Sequence, residues 1–134
     1  MQNIQLEQYG CGVLRVLADV DDGIIERQDF NYANGNSVRL TASIAYHDDS
    51  RIRIRLIVNT DSNYPEWYSY SFHYMTAEDA TICRHYYARH YPAMHTFPHH
   101  KHEGASERVI DCPQPTIRQI RDEIVEHLIG ESCQ

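Results

Sequence analysis

Ser37-Val-Arg-Leu-Thr-Ala-Ser-Ile-Ala-Tyr46, followed after a short gap by Arg51-Ile-Arg-Ile-Arg-Leu-Ile-Val-Asn59, is the stretch that decides the fold. In the first segment Val38, Leu40, Ala42, Ile44 and Tyr46 fall on one side of an extended chain, with Ser37, Arg39, Thr41 and Ser43 on the other. In the second, Ile52, Ile54, Leu56 and Val58 alternate with Arg51, Arg53 and Arg55. A period of two marks a strand with one buried face. A three-residue turn at His47-Asp48-Asp49 pairs Tyr46 with Ser50 and Ile44 with Ile52, which keeps both apolar rows together. A two-residue turn would send them to opposite faces.

Outward from this pair, Asn34-Gly35 is a second hairpin signal and joins it to a strand around Ile24 to Tyr32. Further upstream, Leu6, Tyr9, Val13, Leu14 and Leu17 recur at helical spacing, and Asp21-Asp22-Gly23 is a stop. Gly10 and Gly12 weaken that helix, which leaves a strand over Val13 to Val20 as the alternative. Downstream, Trp67 to Met75 alternates again. Tyr68, Tyr70, Phe72 and Tyr74 lie on one side, suited to a core or an interface, and Ser69, Ser71 and His73 lie on the other. Thr76 to Asp79 is a turn, Ala80 to Tyr87 a returning strand, and Glu107 to Asp111 a short strand. Thr116 with Gln119 forms a capping box after Pro115, and Ile117, Ile120, Ile124 and Leu128 make the stripe of a closing helix that ends before Gly130. The expectation is an α+β fold: an antiparallel meander of about five or six strands with an N-terminal and a C-terminal helix packed on it, one domain over residues 1–134. Val38, Leu40, Ile44, Ile52, Ile54, Leu56, Ile120 and Ile124 should share its core.

No apolar run approaches the roughly 20 residues of a membrane span, and the start lacks a signal-peptide pattern, so a cytoplasmic location is expected. Cys11, Cys83, Cys112 and Cys133 are isolated and read as ordinary thiols. The net charge of −7 argues against a general DNA binder. It also conceals an asymmetry: Ala80 to His102 holds no Asp or Glu but contains Arg84, Arg89, Lys101 and six of the nine histidines. Such a patch suits an anion.

The chemistry-bearing segment runs Arg84-His-Tyr-Tyr-Ala-Arg-His-Tyr-Pro-Ala-Met-His-Thr-Phe-Pro-His-His-Lys-His102. Histidine takes and gives a proton near neutral pH, and a neighbouring cation holds an anion. Cleaving RNA without a metal or other cofactor needs that set: a base for the 2′-hydroxyl, an acid for the 5′-oxygen and a cation for the phosphorane. His90, His99, His100 and His102 are the candidate acids and bases, with Lys101, the sole lysine, as the catalytic cation. Arg84 and Arg89 are candidates for holding the substrate phosphate. The same histidines could instead build a non-enzymatic metal- or ligand-binding module, since His100 and His102 would share one face of a strand. The Arg51, Arg53 and Arg55 row reads as a solvated sheet face or, in the minority reading, an RNA-backbone track.

Thr96-Phe-Pro-His-His-Lys-His102 resembles the motif of the TumE-type toxins of type II toxin–antitoxin pairs. The resemblance extends over roughly Ser37 to Leu128. Upstream, Arg84, Ala88 and His90 match a family segment that reads Arg-Tyr-Asp-Asn-Ala-Pro-His-His, with Tyr86-Tyr87 standing where the family has Asp-Asn. The resemblance implies a small toxin that attacks RNA and is paired with a helix-turn-helix antitoxin encoded next to it. It also allows a degenerate toxin kept as a binding partner. A homodimer is left open.

Overall fold

The computed structural model describes residues 3–34, 37–59, 65–87 and 98–130. Helix α1 (Asn3–Ala18) and a 3-10 turn (Val20–Asp22) precede the strands β1 (Ile24–Asn34), β2 (Ser37–Ala45), β3 (Arg51–Asn59), β4 (Glu66–Met75), β5 (Thr81–Tyr87), β6 (His99–Glu103) and β7 (Arg108–Asp111), and α2 (Ile117–Leu128) closes the chain. The seven strands form one antiparallel sheet in sequence order. The count of about five or six strands is therefore corrected to seven among the described residues. The added strand is β6, whose His-His-Lys-His-Glu sequence has no apolar alternation to betray it.

The deciding hairpin has the expected register: Ile44 pairs with Ile52, Ala42 with Ile54 and Leu40 with Leu56. The Tyr46 amide donates to the Ser50 carbonyl at 2.9 Å. In the turn, Asp49 adopts a left-handed φ of 64°, and the Asp48 carboxylate accepts from the Ser50 amide at 2.9 Å. The eight residues expected in the core are all buried there. Leu6, Val13, Leu14 and Leu17 of α1 join the same cluster as Ile120 and Ile124 of α2, so both helices cover one face of the sheet.

Residues 13–18 are helical, and Gly10 has a packing role within α1. A Cβ at Gly10 would sit 2.7 Å from the Phe30 ring, so the missing side chain lets α1 lie close to β1. The aromatic row of β4 departs from strict alternation. Tyr70, Phe72 and Tyr74 are buried, but Tyr68 is 67% exposed. A register shift at Ile57/Val58 pairs Val58 with Trp67, and Trp67 packs against the core instead. The bulge inverts the side-chain alternation at that end. The Trp67 indole then donates to the Tyr9 hydroxyl at 2.7 Å.

Candidate functional site

β6 runs between β5 and β7, and its pleat divides the His-rich motif. Tyr87 pairs with His99, Tyr86 with His100, His85 with Lys101, Arg84 with His102 and Cys83 with Glu103. Successive side chains of a strand point to opposite faces. His99 and Lys101 therefore lie on the helix-covered face with Cys83 and His85. His100 and His102 lie on the other face with Arg84 and Tyr86. His90 and Arg89, with Thr96 and Phe97, lie outside the described residues.

On the helix-covered face the lysine is engaged by carboxylates. Lys101 Nζ is 2.8 Å from Glu103 and 3.3 Å from Glu123 of α2. Burial works against its charge, but the Glu103 hydrogen bond and the Glu123 charge outweigh it and lift the ammonium above the usual lysine range. Glu123 also binds His85 Nε2 at 2.8 Å and accepts from the Cys83 thiol at 3.0 Å. Burial pushes the Glu123 carboxyl up, yet the His85 hydrogen bond and charge, the thiol and Lys101 together bring it below the ordinary carboxylate range. His99 stacks on Tyr70 at 5.8 Å, its Nδ1 2.9 Å from the Tyr70 hydroxyl. This constellation fastens α2 and β4 to the end of the sheet.

The opposite face carries a shallow groove of about 330 Å³, whose lining includes Arg27, Arg53, Arg55, Arg84 and His73. One cross-strand row runs through it and on past its end. Arg27 pairs with Ser43, Ser43 with Arg53, Arg53 with His73, His73 with Arg84 and Arg84 with His102. Neighbouring strands lie about 4.8 Å apart, so guanidinium and imidazole alternate at that step from β3 to β6. Carboxylates hold two of the arginines on this side of the molecule: Arg27 meets Asp29 at 2.6 Å and Arg51 meets Glu26 at 2.9 Å. Among the described residues, Arg53, Arg55 and Arg84 make no ion pair. Arg84 lies 4.6 Å over the Tyr86 ring, and its buried Nε has no hydrogen-bond partner among the described residues.

A polar chain links the histidines of this row. His73 Nε2 is 2.8 Å from the Thr81 hydroxyl, and that hydroxyl donates to Glu107 at 3.3 Å. Glu107 in turn lies 3.9 Å from His102 Nδ1, and His102 Nε2 is 2.7 Å from the Tyr86 hydroxyl. Glu107 reaches both partners from the β6–β7 turn with a left-handed φ of 52°, a conformation that L side chains other than Asn and Asp rarely adopt. Burial and then the Arg84 charge hold His73 below the ordinary histidine range, with Arg53 and His102 adding to the effect and Glu107 opposing it. His102 is lowered as well, by burial and by Arg84 against the pull of Glu107. His100 is buried against Tyr86, with ring centroids 4.0 Å apart.

Among the candidates, then, Arg84 and His102 adjoin in the row, His100 packs beside them, and His99 and Lys101 are apart from them. His73, Tyr86 and Glu107 are additions. His73 did carry a signal, since its position in the β4 alternation put it with Ser69 and Ser71, away from the core. Glu107 carried none, because its approach depends on turn geometry. Among the described residues, no group of three or more His, Cys, Asp or Glu side chains gathers as a metal site.

The fold and the groove together define a small sheet protein with one cationic, histidine-bearing face suited to an anion. The family model described as Toxin TumE matches residues 13–129, and the chain belongs to that toxin family. No curated protein and no solved structure matches it. Membership gives the chain a toxin role and implies an antitoxin partner. No helix among the described residues is long and apolar enough to cross a membrane.

Proposed function

We propose that this toxin is a cytoplasmic endoribonuclease that draws RNA along the arginine groove, and that a helix-turn-helix antitoxin encoded next to it restrains the activity. One observation carries this reading: Arg53, Arg55 and Arg84, without carboxylate partners among the described residues, line one groove, and the cross-strand row through it pairs Arg84 with His102 just beyond. With a net charge of −7 the chain repels a polyanion at long range, so arginines concentrated on one face answer a local anion rather than a general need for solubility. Arginine also suits this task, because its planar fork meets phosphate oxygens in pairs. In this reading Arg84 holds the scissile phosphate, His102 moves protons, and His100 supports Tyr86 from behind. Lys101 and His99 brace the strand from the helix side, and Arg89 and His90 keep their candidacy from the sequence.

The test is expression without an antitoxin, together with purified protein on a structured RNA. Slowed growth and cleavage are expected, with Arg53→Ala/Arg84→Ala abolishing both. Wild-type protein that neither binds nor cuts RNA would overturn the proposal. A second reading, a toxin that binds RNA without cutting it, draws on the Tyr86 hydroxyl resting on His102 Nε2 at 2.7 Å. Tight binding with no cleavage would select it.

A further inference from the structure

We propose that His73 is the general base of this groove, taking the 2′-hydroxyl proton of an RNA whose scissile phosphate is held by Arg84, between His73 and His102. The inference rests on the endoribonuclease reading and adds to it a residue outside the His-rich motif. It begins with position. His73 stands directly between Arg53 and Arg84 in the cross-strand row, so a phosphate bound by either guanidinium lies beside its ring. His102 follows two strands from His73, on the order of 10 Å away, with Arg84 between them. The row therefore sets one imidazole on each side of the central guanidinium, as an in-line displacement at phosphorus requires.

The hydrogen bonds then fix which nitrogen acts. A hydroxyl has one proton to give, and Thr81 gives it to Glu107. Toward His73 the Thr81 oxygen can only accept, so His73 Nε2 carries the hydrogen and Nδ1 is left with the lone pair. Among the described residues Nδ1 has no hydrogen-bond partner, which is the condition a base needs before substrate arrives. The groups that face His73 are Arg53 from β3, Arg84 and Thr81 from β5, His102 from β6 and Glu107 from the following turn. The cations among them favour the neutral ring. His102 is placed for the complementary role, with Glu107 near its Nδ1 and the Tyr86 hydroxyl on its Nε2.

The step balances without another reactant. The 2′-oxygen bonds to phosphorus as its proton passes to His73 Nδ1, and the bond from phosphorus to the 5′-oxygen breaks. The 5′-oxygen takes a proton from the Tyr86 hydroxyl, and His102, which enters the step as the imidazolium beside Glu107, replaces that proton from Nε2 and is left neutral. The products are a 2′,3′-cyclic phosphate and a 5′-hydroxyl, and solvent returns the two histidines to their starting states.

The experiment compares wild type, His73→Gln and His73→Ala on an RNA oligonucleotide and on the same oligonucleotide with a 2′-deoxyribose at the cut site. Glutamine can still donate to Thr81, so His73→Gln should fold and bind RNA as wild type does. Its cleavage should fall on the order of 10²–10⁴-fold, and the acid limb of its pH–rate profile should disappear. Imidazole added to His73→Ala should restore part of the rate. The deoxy substrate should resist every form of the enzyme. If wild type cuts RNA while His73→Gln stays within about threefold of it, the assignment fails and the nuclease reading survives. If wild type cuts nothing, both fail.

Discussion

Removing the Lys101 ammonium would leave Glu123 with His85 and Cys83 as its remaining partners on the half-buried helix side. Hydrogen bonds to charged groups contribute about 1.5–3 kcal/mol, so Lys101→Ala should lower the denaturation midpoint by a corresponding amount with an unchanged slope. Its cleavage per folded molecule should hold. His102→Ala should behave oppositely, keeping the fold and losing activity. A Lys101→Ala protein of full stability but no activity would return the lysine to the chemistry. The same carboxylate sets a pH dependence. The folded pKa of Glu123 is below its ordinary 4.5, so the folded state binds its proton more weakly than the unfolded chain does. Its contribution is present above pH 4.5 and is lost as pH falls through the depressed folded value. Stability measured from pH 6 downward should therefore fall less steeply in Glu123→Gln than in wild type. Parallel curves would show that this group is not a source of the acid sensitivity.

At the level of elements, α2 was legible because its signals are local. Thr116 accepts from the Gln119 amide at 3.1 Å, and the Gln119 side chain accepts from the Thr116 amide at 2.8 Å, closing the capping box. Thr116→Ala should cost about 1 kcal/mol, seen as a fall in Tm of roughly 3–5 °C. No change would mean the cap is not formed in solution. β2 and β3 were legible for a related reason, since one buried and one open face impose alternation on the sequence itself. β6 was not. Its helix side carries Lys101 among carboxylates and its groove side carries His100 and His102, so neither face is apolar and period-two reading finds nothing. The exchange of Tyr68 for Trp67 was hidden too, because a bulge is set by pairing between strands, which no single segment reveals. Of the site, the histidines and Arg84 stood out by composition. Their division between two faces, and the approach of His73 and Glu107, required the register of three strands.

For the molecule as a whole, the proposed RNA track in the groove predicts how RNA affinity responds to salt. Each neutralised phosphate contributes about −0.7 to the slope of log K against log salt for a single strand. With Arg27 held by Asp29, three guanidiniums remain, namely Arg53, Arg55 and Arg84, and the slope should be close to −2. Arg55→Ala should reduce its magnitude by about 0.7 and weaken all sequences alike, since a phosphate contact carries no base information. Arg51→Ala should change it little, because Glu26 already answers that charge. Equal losses from Arg51 and Arg55 would mean the groove is not the track.

The pleat of β6 also governs how this segment can change over generations. Its odd- and even-numbered residues serve different tasks back to back, so the strand has a parity. Deleting one residue between His99 and Glu103 would deliver the lysine to the groove side and a histidine to the carboxylates beneath, defeating both tasks in a single event. Point substitutions meet no such coupling, and each side can be retuned while the other is left intact. Length can drift only in steps of two, or in the Gly104–Glu107 turn beyond. A short strand without an apolar pattern is thus held to a fixed parity just as the long hydrophobic ones around it are.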